Sequence, residues 1–306
     1  LEVHVFRRIH DPSRSFLQPH PIYEYAPRSI AVQPELETLE NAAEAWAAAG
    51  LVVEDSSRVG HLQGTGRPNG GFVAGPSVRR LRSVKGGFFG FLDALAGGLP
   101  VRATDRPEVL AGLERLDTGW ALRDLAGHAL GTYDLAICAY DYFLRGTRKA
   151  ALRCLLEASL PSSAAVMRSV AGAVDCCAFA LVADVPGAAA VPFDVAYFHD
   201  VPEIAFAVRN APQGHAVRGL PGGESWTLVA TPEWTDSVRP DAVSSWDKAK
   251  VASQMLSSFS RAVGCPSGRA LRPPYHWGGA ASITRSVSSS FAFDENTALA
   301  FVGDFF

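Results

Sequence analysis

The chain has no block of basic residues, no apolar run long enough to span a membrane and no metal-ligand spacing, and each absence removes a class of function. Its 28 Lys and Arg and 31 Asp and Glu leave a net charge of -3. The basic residues are scattered, which denies it an electrostatic footing on nucleic acid or an anionic membrane. No window approaches the ~18 apolar residues of a spanning helix. No basic, then apolar, then small-residue pattern of a signal peptide opens the sequence. The five cysteines, Cys138, Cys154, Cys176, Cys177 and Cys265, are odd in number and lack ligand spacing, and the eight histidines form neither HxH nor HExxH. No GxSxG elbow marks a serine nucleophile. What remains is a soluble, cytoplasmic protein with buried reduced thiols, no metal and a small-molecule substrate as its partner.

A chain of 306 residues with 48% hydrophobic content can bury a large core and divide it between two interleaved domains. It starts at Leu1 and stops at Phe306 just after a strand-like run, which reads as a piece of something longer. Val3 and Val5 alternate with His4 as in a strand already under way. Leu36, Leu39, Ala43 and Trp46 fall at helical spacing between Pro34 and Gly50. The Gly, Ser, Pro and Asn cluster from Asp55 to Pro76 predicts a long loop or weak hairpin. Leu113 to Asp134 reads as two strands joined through Gly127, and Leu135 to Ala139 as a short apolar strand covered on both faces. Ala150 to Val170 has a helical pattern broken at Pro161, while Ala173 to Ala183, Val191 to Tyr197 and Glu203 to Asn210 have strand patterns. In ESWTLVATPEWT, Trp226, Leu228 and Ala230 alternate with Thr227 and Thr231, a half-buried strand that Pro232 ends. Val251, Met255, Phe259 and Ala262 share one face of a helix starting near Asp247. Alternating helices and strands early, and clustered strands between Ala173 and Thr231, predict an α/β layer with an inserted antiparallel sheet.

Five segments carry residues suited to binding. In VKGGFFGFLDALA, Gly86 and Gly87 precede a helix whose first apolar residue is Phe88, so backbone N–H groups lie open to a phosphate or a flat ring edge. The same glycines also suit a plain loop-to-helix turn. FVGDFF places Gly303 and Asp304 beyond the end of a strand, where α/β proteins bind ligands and where turns and caps are also common. FAVRN ends in Arg209, a planar donor fork, and Asn210, both donor and acceptor; a strand-end ion pair and a turn residue are the competing reading. PPYHWGGA brings His276 and Trp277 together, and Trp234 follows the strand of Trp226 as a ligand contact or a core plug.

The order and separation of FAVRNAPQGH, ESWTLVATPEWT and PPYHWGGA, with the Gly-rich entry at Gly86 and the Gly-Asp at 303 and 304, closely resemble renalase-like FAD-dependent oxidoreductases of the flavin amine oxidase superfamily. The resemblance implies an α/β fold: a discontinuous FAD/NAD(P)-binding Rossmann-like domain of the glutathione-reductase type, in residues 1–33, 80–185 and 270–306. An α+β substrate domain, residues 34–79 and 186–269, is inserted into it. It implies FAD as cofactor, with Gly86, Gly87, Phe88, Trp277, Gly303 and Asp304 around it. Arg209, Asn210, Trp234 and His276 would meet the substrate. The implied reaction is hydride transfer from a small reduced substrate, a nicotinamide dinucleotide isomer or an amine, to the flavin, for which no catalytic acid or base is assigned. The chain departs from that family in two places. No GxGxxG is present, and Arg7 stands where an acidic residue would hold the adenosine ribose, with DPSRSFLQ in place of a Gly-Gly-Arg turn. A relative that keeps the scaffold without binding FAD is therefore the alternative.

Overall fold

The computed structural model describes residues 5–8, 29–32, 37–62, 72–75, 78–83, 94–95, 97, 101–104, 112–123, 127–138, 177–186, 191–210, 224–239, 245–278 and 292–301. They form a mixed α/β protein whose strands fall into five sheets. The first elements are β1 (Val5–Arg8), β2 (Ser29–Val32) and helix α1 (Glu37–Ala48), which buries Ala43 and closes on Gly50 in the left-handed region at φ 67°. Next come β3 (Val52–Ser57), β4 (Val59–Leu62), β5 (Phe72–Ala74), β6 (Val78–Ser83) and β7 (Val101–Thr104). A meander of β8 (Gly112–Leu116), β9 (Gly119–Arg123) and β10 (Ala129–Tyr133) leads into β11 (Ala136–Cys138). The second half holds β12 (Cys177–Asp184), β13 (Val195–Phe198), β14 (Phe206–Arg209) and β15 (Ser225–Val229). Helices α2 (Pro232–Val238) and α3 (Lys248–Val263) follow, then β16 (Arg269–Ala270), β17 (Tyr275–Gly278), β18 (Ala292–Asp294) and β19 (Leu299–Phe301).

The chain divides into two compact units, one of residues 1–13, 100–176 and 279–306, the other of 14–99 and 177–278. Residues 14–33, 80–99, 177–185 and 270–278, grouped from the sequence with the first unit, lie with the second. Hydrogen bonding accounts for this: β6 pairs with both β2 and β3, and β12 pairs with β15, β16 and β17.

In the first unit β1 runs parallel to β7, and β11 parallel to β19, which β18 flanks antiparallel. The meander has three strands where two are predicted, because the chain also turns at Asp117 and Thr118. Gly119 makes that turn possible: its φ is +99°, and a Cβ there would stand 2.3 Å from the Tyr133 carbonyl oxygen. Trp120, fully buried, donates from Nε1 to the Thr297 carbonyl at 2.8 Å, and the Arg115 guanidinium donates to the same oxygen at 2.9 Å. These bonds tie the meander to the turn between β18 and β19. The expectation that residues 135–139 are covered on both faces does not hold, since Leu135 is 45% and Ile137 61% exposed.

The second unit is built on an eight-stranded sheet in which β16, β12, β15, β14, β13, β4 and β5 lie in that order, with β17 beside β16 along the same edge of β12. Phe179, Leu181, Ala183, Trp226, Leu228, Phe193, Ala196 and Ala207 form one face, and Val251, Met255 and Phe259 of α3 belong to the same core. Asp247 caps α3 by accepting from the N–H groups of Ala249 and Lys250, at the start expected from the sequence. The alternation in β15 does not mark a solvent face, because Thr227 is as fully buried as Trp226. Pro232 does more than end that strand. With Thr231 as N-cap, accepting from Trp234 N–H at 3.2 Å, it opens α2. Among the described residues no helix is long and apolar enough to cross a membrane.

The Trp226→Ala substitution empties the middle of this core and is expected to cost about 3–5 kcal/mol, whereas Phe293→Ala, at a half-exposed position, is expected to stay within about 0.5–1 kcal/mol. Urea denaturation of the two variants checks the contrast.

Candidate functional site

Arg209 sits directly across from Trp226 in the β14–β15 ladder, so guanidinium and indole share a face, with Cζ 4.6 Å from the ring centroid. It is only 3% exposed. Its Nη1 donates to the Glu224 carboxylate, its Nη2 to the carbonyls of Val191 at 3.0 Å and Phe193 at 3.1 Å, and its Nε lies 3.4 Å from Asp194. Asp194 in turn pairs with Arg58 at 3.3 Å. Burial pushes the Arg209 guanidinium down and the Glu224 carboxyl up from their ordinary values, and their mutual attraction opposes both movements. The fork that the sequence offers to a substrate is thus committed to holding the 191–194 segment against the sheet.

Asn210 falls on the opposite face. Its Nδ2 donates to Ser225 Oγ at 3.0 Å and its Oδ1 accepts from Thr227 Oγ1 at 3.0 Å, on the two residues that flank Trp226. Arg209 and Asn210 are neighbours in sequence, yet they do not converge on one ligand.

Trp234 and His276 do come together, around Phe179. β17 places His276 opposite Phe179 of β12, with ring centroids 5.2 Å apart at 65°. Trp234 of α2 presents an edge at 5.8 Å, and Trp246 lies at 4.7 Å with Lys248 Nζ 5.7 Å from its ring. Thr235 clamps α2 to the strand: its Oγ1 accepts from Phe179 N–H at 3.3 Å and donates to the Thr231 carbonyl at 2.8 Å. His276 Nε2 is buried and has no hydrogen-bond partner among the described residues. Burial lowers the His276 pKa, and Arg239 adds repulsion, while Asp236 and a backbone hydrogen bond oppose them. The lowering favours the neutral imidazole, in which one ring nitrogen accepts and the other donates. Trp226 Nε1, in the core of the sheet, is likewise a buried nitrogen without a partner among the described residues.

Two members of this cluster are absent from the sequence-based set. Phe179 is the one aromatic in the small apolar strand CAFALVAD, and Trp246 precedes the cap of α3. Trp277 pairs through its backbone with Ala178. Gly86, Gly87, Phe88, Gly303 and Asp304 lie outside the described residues. Among those that are described, no cluster of three or more His, Cys, Asp and Glu is placed to hold a metal. Cys177 and Cys265 are half-buried and form no disulfide among the described residues.

No family model matches the chain, and no curated protein matches it. Several solved structures are similar to it at low identity. An oxidoreductase from Methanosarcina mazei is 16% identical with a TM-score of 0.47, over 75% of this chain and 50% of that one. A reduced UDP-galactopyranose mutase is 14% identical with a TM-score of 0.43, over 69% and 42%. A 2,6-dihydroxypyridine-3-hydroxylase from Arthrobacter nicotinovorans is 14% identical with a TM-score of 0.49, over 94% and 69%. The chain thus spans about half the length, or less, of the first two.

Removing the Arg209 guanidinium strands the Glu224 carboxylate, so Arg209→Leu is expected to lose about 3–5 kcal/mol. The double variant with Glu224→Gln should recover part of that in a denaturation cycle. His276 gives a pH test. Its folded-state pKa lies below 6.5, so as pH falls the unfolded chain takes up this proton first, and stability declines from about pH 6.5 down to the folded value. His276→Phe is expected to flatten that part of the Tm profile.

Proposed function

We propose that this chain is part of a flavin-dependent oxidoreductase that oxidises a small reduced substrate, a nicotinamide dinucleotide isomer or an amine, with the second unit contributing the substrate contacts. The observation that carries the reading is the Nε2 of His276, without a hydrogen-bond partner among the described residues, beside Phe179, Trp234 and Trp246. Aromatic faces suit a flat ring or a cationic amine, and a neutral imidazole hydrogen-bonds an amide or amine without repelling it. Supporting it from the sequence are the Gly-rich entry at Gly86 and Gly87, the Gly-Asp at 303 and 304, and the order of the segments between them. The discontinuous first unit, with its parallel pairs β1–β7 and β11–β19, suits a cofactor domain interrupted by a substrate domain.

FAD, as the hydride acceptor, would supply the redox chemistry itself. The one described position that bears on its adenosine end does not fit: β1 carries Arg7, a residue with donors only, where a ribose hydroxyl needs an acceptor. That mismatch favours a second reading, in which the chain keeps the scaffold and binds small molecules without flavin.

Two measurements on the same purified protein separate the readings. The first is absorbance in the flavin bands before and after incubation with FAD. The second is tryptophan fluorescence during titration with a reduced nicotinamide nucleotide or benzylamine, in the wild type and in Trp234→Ala. Flavin uptake with saturable quenching that weakens about tenfold in the variant, as for loss of a buried aromatic contact, is the expected outcome. Saturable quenching in a colourless protein that takes up no FAD selects the second reading. An absence of saturable change with either compound overturns both.

A further inference from the structure

His61 and His199 present a second site, remote in chemistry from the aromatic cluster. His61 lies on β4, paired in parallel register with Tyr197 of β13, and His199 follows two residues later, its backbone N–H donating to the Leu62 carbonyl at 3.1 Å. Residues 61, 197 and 199 therefore share one side of the sheet, while Leu62 and Phe198 between them turn into the core. The three rings are stacked: His61 to Tyr197 at 5.5 Å and 20°, His61 to His199 at 5.3 Å and 17°. His61 Nδ1 lies 3.1 Å from His199 Nε2, at a solvent-exposed position.

We propose that this histidine pair is a binding site for a borderline divalent transition-metal ion, Cu²⁺ most tightly, with Ni²⁺ and Zn²⁺ weaker. Metal–imidazole bonds of about 2.0–2.1 Å that meet at the right or tetrahedral angle place the two nitrogens about 2.9–3.3 Å apart, and the observed separation lies inside that interval. In the metal-free pair one ring nitrogen donates its proton to the other. On binding, that ring carries its proton on its remaining nitrogen, and the two rings turn out of parallel so that the in-plane lone pairs of both facing nitrogens meet at the ion. A Cβ at Gly75 would stand 3.5 Å from His61 Nε2, so that nitrogen looks toward the end of β5 while Nδ1 looks toward the partner ring. With imidazole as the only protein donor among the described residues, softness and the Irving–Williams order favour copper, and water completes the coordination. The sequence predicts no metal site because these residues are joined by sheet register, not by spacing along the chain.

The test is titration of the full chain with CuCl₂, followed by calorimetry and by electron paramagnetic resonance. The expected result is a site whose spectrum carries hyperfine structure from two equatorial nitrogens. Single variants His61→Ala and His199→Ala should each weaken it by more than the ~10-fold typical of an outer-shell loss, while His128→Ala, exposed elsewhere, leaves it unchanged. Copper binding that is equal in all four proteins overturns the proposal. Should either variant fail to fold, the wild type still decides: sub-stoichiometric Cu²⁺ should broaden the ring signals of His61 and His199 before those of His128, and the reverse order overturns it.

Discussion

The second unit depends on one buried charge. Arg209 holds a guanidinium where almost no water reaches, and leaving a charge unpaired there costs about 3–5 kcal/mol. The answer is a shell that uses the planar fork from several sides: a carboxylate from the residue before β15, two carbonyls and a carboxylate from the 191–194 segment, and the face of Trp226. The partners come from two other stretches of chain, 191–194 before β13 and 224–226 at the start of β15, so satisfying this one group fixes how β13, β14 and β15 lie together. A lysine, with its single point of charge, has no geometry that reaches all of them.

The same sheet explains why the aromatic cluster forms where it does. β12 is buried along nearly its whole length, so its edge must be covered, and two short strands, β16 and β17, share that edge on either side of Pro273 and Pro274. The prolines cannot donate to the ladder and so divide one returning segment into two. β17 then runs beside the first half of β12, which sets His276 against Phe179, and Thr235 draws α2 onto the same strand end. An imidazole that arrives by register, buried and with Arg239 near, has its pKa lowered against the opposing pull of Asp236.

Features governed by local physics were legible in the sequence. Helix α3 is readable because Asp247 is a cap and its apolar residues repeat at helical spacing, and α1 because Pro34 and Gly50 bracket a periodic run. Strands β14 and β15 are readable from their apolar content. Helix α2 was not, although Thr231, Pro232 and Glu233 are a start signal, because a proline after a strand is equally a stop. The third strand of the meander was hidden by a turn whose only mark is Gly119. Register was the larger gap: nothing local says that His276 meets Phe179, or that Arg209 faces Trp226 while Asn210 faces away. Pairing two adjacent polar residues as one substrate contact ignores the alternation of a strand, which separates them by the thickness of the sheet.

That alternation also bears on which face of the sheet can receive a ligand. The face carrying Arg209, Trp226 and Phe179 packs against Val251, Met255 and Phe259 of α3, and among the described residues it holds buried nitrogens without a hydrogen-bond partner both there, at Trp226 Nε1, and near α2, at His276 Nε2. The other face carries Ser225, Thr227 and Asn210, whose side chains hydrogen-bond one another. Groups already satisfied by one another gain little from a ligand and lose their bonds to it, whereas a buried nitrogen with no partner gains a full hydrogen bond at no such loss. By that asymmetry the Asn210 face, whose polar groups already satisfy one another, has little to offer a ligand.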